Sequence, residues 1–282
     1  LPRPFGAAIA LHLCLARLQR FTFFRSVENP AALGSVIETP SRWLGENAGG
    51  RSIIRPNRAG PVSRMDVTLI CAGVGWVPSM VAVSLIGASL IAYTWAALTG
   101  AVTVYAPYIS EAGASPPQSG VFSLLLYFGS VLACTTMLVR YVVIRNLNRC
   151  GRRIVDSLNV AAMLAGLIAV CGNLIVSAYP VLTSRAIHNA GAYTMFLAAV
   201  IYMMLETGLT CCLCPQHFAK TMVWVRFGLT ISSVVAVVFT ACYQLVGDRN
   251  WNEGDIDKPK HFREPGDPGF RELLISSLAV TS

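Results

Sequence analysis

Residues 158–180 read LNVAAMLAGLIAVCGNLIVSAYP, from Leu158 to Pro180, without a single Asp, Glu, Lys or Arg. As a helix rising ~1.5 Å per residue, this stretch exceeds the ~30 Å hydrocarbon core of a bilayer. A helix in water needs a polar face, and no face of this one is polar. Four further blocks of the same kind flank it, near Val77–Val104, Val121–Val143, Ala190–Cys212 and Met222–Gln244. Inside lipid a helix satisfies its own backbone hydrogen bonds, so all five are expected to be helical. The connections are short, which makes sequence neighbours antiparallel neighbours. The expected fold class is all-α, a polytopic transmembrane helix bundle with five spans present.

Composition agrees. Of 282 residues 54% are hydrophobic and 13% charged, where soluble domains carry about 25% charged residues, and the mean hydropathy is +0.57. The blocks leave no room for a soluble catalytic domain. No phosphate-binding loop, zinc-protease motif, nucleophile elbow or paired carboxylates occur, so no enzyme and no cofactor are expected. The basic residues serve as loop anchors rather than a nucleic-acid face.

Orientation follows from the Lys/Arg bias of short loops. The 140–157 connection holds Arg140, Arg145, Arg149, Arg152 and Arg153 against Asp156, whereas the 104–120 loop has Glu111 and no Lys or Arg. The first face is expected to be cytosolic and the N-terminus with it.

Residues 1–64 read differently, with nine Arg, three Glu and neither Met nor Lys before Met65. They are expected to be a disordered Arg-rich leader, either a targeting segment or sequence upstream of a true start at Met65. The net charge of +8 sits mostly in this leader. The remainder divides into a bundle at 65–245 and a polar tail at 246–282. In the tail, Leu273–Val280 is apolar for too few residues to span a bilayer, and reads as an interfacial helix or an incomplete sixth crossing.

Few residues carry chemistry. In the 104–120 loop, Ser110, Glu111, Gly113, Pro116 and Pro117 set a turn and an extended stretch, and Ser119 stands where a helix N-cap belongs; the loop either fixes the angle between the first two helices or binds a partner. Glu206 is the one acid inside a span. At 18 residues, or ~27 Å, beyond His188, it lies near the cytosolic headgroups with Arg226, and a structural Glu206–Arg226 ion pair is expected. Cys211, Cys212 and Cys214 lack the spacing of a metal site; they suit S-palmitoylation at a juxtamembrane position or serve as small apolar residues. Ala162, Ala165, Gly166 and Ala169 offer a close-packing face, and Asn173 an interhelical hydrogen bond.

At this point the chain resembles the DRAM (damage-regulated autophagy modulator) family of multi-pass membrane proteins. The likeness rests on Trp76-Val77-Pro78, then Pro107-Tyr108-Ile109-Ser110-Glu111-x-Gly113-x-x-Pro116-Pro117-x-Ser119-Gly120-x-Phe122, and Arg140-Tyr141. It continues with Cys171-Gly172, His188-x-x-Gly191-Ala192, Tyr202, Cys214-Pro215-Gln216 and Arg226, in order over about residues 76–245. The resemblance implies six helices, a lysosomal or other endomembrane location, promotion of autophagy and stress-linked cell death through unidentified autophagy or trafficking proteins, and no enzymatic activity. A related plasma-membrane branch organises phosphoinositide-kinase complexes and tends to carry cysteines in its first loop; this loop has none. The family's sixth helix is not completed beyond residue 272. The alternatives are a plasma-membrane scaffold of that kind, or a small-solute or ion transporter using Glu206, Asn173 and His188.

Overall fold

The computed structural model describes residues 73, 75–103, 107–148, 150–214, 218–254 and 258–281. The leader expected at 1–64 lies outside them, as do Pro215, Gln216 and His217. In chain order the elements are α1 (Val77–Leu98), α2 (Ile109–Ala112), α3 (Gln118–Leu147), α4 (Arg153–Ala178), α5 (Arg185–Leu213), α6 (Lys220–Glu253), a 3-10 turn (Lys260–Phe262) and α7 (Phe270–Thr281). Five of these, α1, α3, α4, α5 and α6, are long and apolar enough to cross a membrane.

The burial pattern is that of helices packed in lipid. On α1, apart from Val77 at its start, the buried positions are Ser84, Ala88, Ala92 and Ala96, every fourth residue and all small, while Val83, Leu85, Ile91, Trp95 and Leu98 stand exposed. Lipid tails are as apolar as leucine, so large side chains gain nothing by turning inward and small ones let backbones approach. Helix α1 packs on α3, where the Ser84 hydroxyl donates to the Leu125 carbonyl at 2.6 Å. Helix α3 packs on α4 through a reciprocal pair: the Ser123 hydroxyl donates to the Ser177 carbonyl at 2.6 Å, and the Ser177 hydroxyl to the Ser123 carbonyl at 3.1 Å. Asn173 adds a donor to the Ser130 hydroxyl at 2.8 Å.

The α4–α5 crossing is the tightest. A Cβ on Gly172 would stand 2.6 Å from the Met195 backbone nitrogen and 2.8 Å from the Gly191 carbonyl oxygen. The small residues Ala162, Ala165, Gly166 and Ala169 all lie on the buried side of α4.

Helix α6 runs through residue 245 without a break, to Glu253. At 34 residues it spans ~50 Å, well beyond a bilayer core, and the polar last turns need packing to stay helical. The tail supplies it. Gly269, at φ +74° and with its Cβ position blocked at 2.5 Å by the Gly247 carbonyl, turns the chain as only glycine can. Helix α7 then lies along α6, with Leu273 against Gly247 and the Ser276 hydroxyl donating to the Thr240 carbonyl at 3.0 Å. Its 12 residues reach ~18 Å, less than a crossing.

Candidate functional site

Two polar centres sit at opposite ends of the bundle. The first is built on the loop after α1. Glu111 closes the short helix α2, accepting from the Tyr108 backbone N–H at 3.0 Å. The same carboxylate receives the guanidinium of Arg263 from the tail, Nη2 to Oε2 at 2.9 Å and Nη1 to Oε1 at 3.3 Å. Glu111 is 6% exposed and Arg263 1%, so both charges are withdrawn from water and depend on each other. The Arg263 guanidinium also stacks 5.1 Å from the Tyr108 ring centroid and donates to the Lys260 carbonyl at 2.8 Å. Burial pushes the Tyr108 phenol up to about 12, which keeps the ring neutral beneath the cation. Thr103 adds two bonds to the tail, from its hydroxyl to the Arg263 carbonyl at 3.0 Å and from its N–H to the His261 carbonyl at 3.3 Å. Lys260 reaches Asp248 on α6 at 2.7 Å.

The rest of the loop explains its own residue types. A Cβ on Gly113 would overlap the Phe122 ring at 2.6 Å, so that glycine and that aromatic occupy one packed site. Ile109 packs against the cluster of Ala88, Ala92, Phe122, Leu126 and Val176, and Ser110 is half-buried. Pro116 and Pro117 are exposed. Helix α3 starts at Gln118 with Pro117 at the cap and no side-chain capping bond; Ser119, expected as the cap, lies in the first turn, where its N–H donates to the Ser115 carbonyl. Helix limits read from sequence shift by a residue or two in this way.

The second centre lies toward the end that carries the 148–152 and 214–219 connections. Glu206 on α5 accepts from two arginines on one oxygen: Arg140 Nε on α3 at 2.8 Å and Arg226 Nη1 on α6 at 3.1 Å, both to Oε2. The Glu206 side chain is 7% exposed, that of Arg140 9% and that of Arg226 24%. Phe218 covers the Arg140 guanidinium, 5.3 Å from its ring centroid. Arg140, which falls both in the block Val121–Val143 and at the head of the basic 140–157 run, lies inside α3, which runs on to Leu147. Thr207 on α5 and Thr230 on α6 join hydroxyls at 2.9 Å beside the triad.

Cys211 is exposed and Cys212 and Cys214 are half-buried, all with free thiols. Arg152 donates to the Cys212 carbonyl at 2.9 Å, which draws the α3–α4 connection, with exposed Cys150, to the end of α5. The three residues suggested for transport do not come together. Glu206 is held by two arginines, Asn173 by Ser130, and His188 donates from Nδ1 to the Tyr179 carbonyl at 2.7 Å.

Residues 73–256 match the family described as the Frag1/DRAM/Sfk1/Cwh43P N-terminal domain. The chain is 30% identical over 192 residues to DNA damage-regulated autophagy modulator protein 1 of Mus musculus, covering 67% of this chain and 81% of that protein. It is 29% identical over 211 residues to DNA damage-regulated autophagy modulator protein 2 of Bos taurus, covering 74% and 78%. It is 31% identical over 137 residues to the modulator of macroautophagy TMEM150B-B of Xenopus laevis, covering 49% and 57%. No solved structure matches.

Proposed function

The chain belongs to the Frag1/DRAM/Sfk1/Cwh43 family, and from that premise we propose that it is an integral membrane protein that modulates autophagy, acting through protein partners rather than through chemistry of its own. The observation that carries this reading is the run of similarity to relatives named as autophagy modulators, which extends over most of their length. The buried ionisable groups fit a structural role, because their carboxylates are occupied by arginines of the same chain. Stress-linked cell death and a lysosomal or other endomembrane location belong to the same proposal.

The end with Arg145, Arg152, Arg153 and Lys220 faces the cytosol in this reading, and the Glu111–Arg263 clamp faces the lumen. Bundle and tail act as one unit, because the clamp ties residue 263 to residue 111. Pro116 and Pro117, exposed on the loop, offer the free surface of the motif to a lumenal partner. Cys211, Cys212 and Cys214 are the thiols we assign to S-acylation at the cytosolic headgroup level.

The test is location and flux together. The tagged full chain should coincide with a lysosomal marker, and its removal should change turnover of the lipidated autophagosome marker. Confinement to the plasma membrane with unaltered turnover would favour the kinase-scaffold reading.

A further inference from the structure

Among the described residues, the end bearing the triad carries Arg140, Arg145, Arg152, Arg153, Lys220 and Arg226 against two carboxylates, Asp156 and Glu206. At the triad itself two guanidinium charges meet one carboxylate, leaving one positive charge uncompensated in a group where two of three side chains are over nine-tenths buried. The excess has a location. The Nη2 of Arg140 is buried without a hydrogen-bond partner, and both arginines spend a donor on the same oxygen. A buried guanidinium nitrogen without an acceptor is costly. Helix dipoles do not compensate it, since their effect fades within the last turn and Arg140 stands seven residues before Leu147, the end of α3.

The three residues share a depth. Arg140 lies seven residues from the end of α3, Glu206 seven from the end of α5 and Arg226 six from the start of α6, each ~10 Å inside the helix terminus. For helices that overshoot the hydrocarbon core, this places the triad at the inner edge of the headgroup layer, within reach of snorkelling side chains. Arg226 is the most exposed of the three, its side chain 24% accessible.

We propose that Arg140 and Arg226 form a binding site for a phosphate oxyanion carrying one net negative charge, and that its occupant is the phosphodiester of an anionic glycerophospholipid. Arg226 contacts the phosphate first from the lipid side, and Arg140 Nη2 donates to it from within. A zwitterionic lipid offers the same phosphate with its own cation attached, and so balances the excess charge less well. The site stands independently of the autophagy reading.

The full chain, reconstituted in nanodiscs of phosphatidylcholine and phosphatidylglycerol, is analysed for retained lipid by native mass spectrometry. The wild-type chain should retain phosphatidylglycerol in excess of its share, and Arg226→Gln should reduce that enrichment about tenfold. Arg226→Lys should keep much of it, and Arg249→Gln, an exposed arginine at the far end of α6, should leave it unchanged. Monodispersity and a cooperative unfolding transition of Arg226→Gln establish that it is folded; if it is not, the wild-type comparison of the two lipids decides alone. Equal retention of both lipids by the wild-type chain, or enrichment unaltered in a folded Arg226→Gln, overturns the proposal. Displacement of the retained lipid by added inorganic phosphate overturns the lipid as occupant and leaves the site to the free anion.

Discussion

Arg263 and Glu111, 152 residues apart in the chain, meet in a two-pronged ion pair with both side chains withdrawn from water. One comes from the tail before α7 and the other from α2 in the loop after α1, so the pair ties the tail to the loop between the first two spans. The fold therefore has a lock at one end and a charged triad at the other.

Removing one half of the lock should cost more than removing both. Arg263→Ala or Glu111→Ala leaves a buried charge alone, at ~3–5 kcal/mol. The double substitution removes both charges and should be milder than the sum of the singles. Thermal unfolding in detergent measures this cycle; strict additivity would show that the two groups do not depend on each other.

At the triad the order of damage follows from charge. Glu206→Gln leaves Arg140 and Arg226 facing each other, whereas Arg226→Gln leaves a one-to-one pair. The first should therefore destabilise by several kcal/mol and the second by much less. A lower unfolding temperature for Arg226→Gln than for Glu206→Gln would contradict the geometry.

The α4–α5 crossing predicts a steric effect. Gly172→Leu would drive a side chain into the Met195 and Gly191 backbones, which cannot move away as a side chain can. Loss of the monodisperse peak in size-exclusion chromatography is expected, with Gly208→Leu as a control, since nothing lies within 4 Å of a Cβ there. Two identical elution profiles would rule out the close contact.

Acid should loosen the tail. Burial pushes the His261 imidazole below its ordinary value, opposed by Glu111 and reinforced by Arg263 and Arg185. A histidine with a folded pKa below 6.5 contributes no penalty while neutral in both states; as pH falls through about 6.5 the unfolded chain takes up the proton first and stability declines. The unfolding temperature should thus drop between about pH 7.5 and about pH 5.5, and His261→Gln should shrink that drop. An undiminished drop in the variant would assign the pH response to other groups.

The cysteine assignment is tested by acyl exchange. Labelling should fall in steps as Cys211, Cys212 and Cys214 are changed to Ser, and unchanged labelling of the triple variant would remove S-acylation from these thiols.

How much of this was legible in the sequence depends on range. The spans were plain, because excluding charge from some twenty consecutive residues is a local property that lipid imposes on each helix separately. The small face of α4 and the bond from Asn173 were legible for the same reason. Arg140 stood both at the end of the Val121–Val143 block and at the head of the basic run, and the run of charges after it hid that α3 continues to Leu147 and encloses it. Arg263 carried no signal at all: one arginine in an acid-rich tail looks solvated until its partner is known. The last turns of α6 were hidden likewise, since they are polar and depend on Leu273 packing against Gly247 and on Trp251, 5% exposed.

Modulation of autophagy from a membrane should show in autophagic flux in cells lacking the chain. Turnover of the lipidated autophagosome marker is compared with and without a lysosomal inhibitor, after re-expression of the wild-type chain or of Glu111→Ala. The wild-type chain should restore flux, and Glu111→Ala, deprived of the lock, should restore it only in part. Flux that is the same with the chain absent, restored or altered would contradict it.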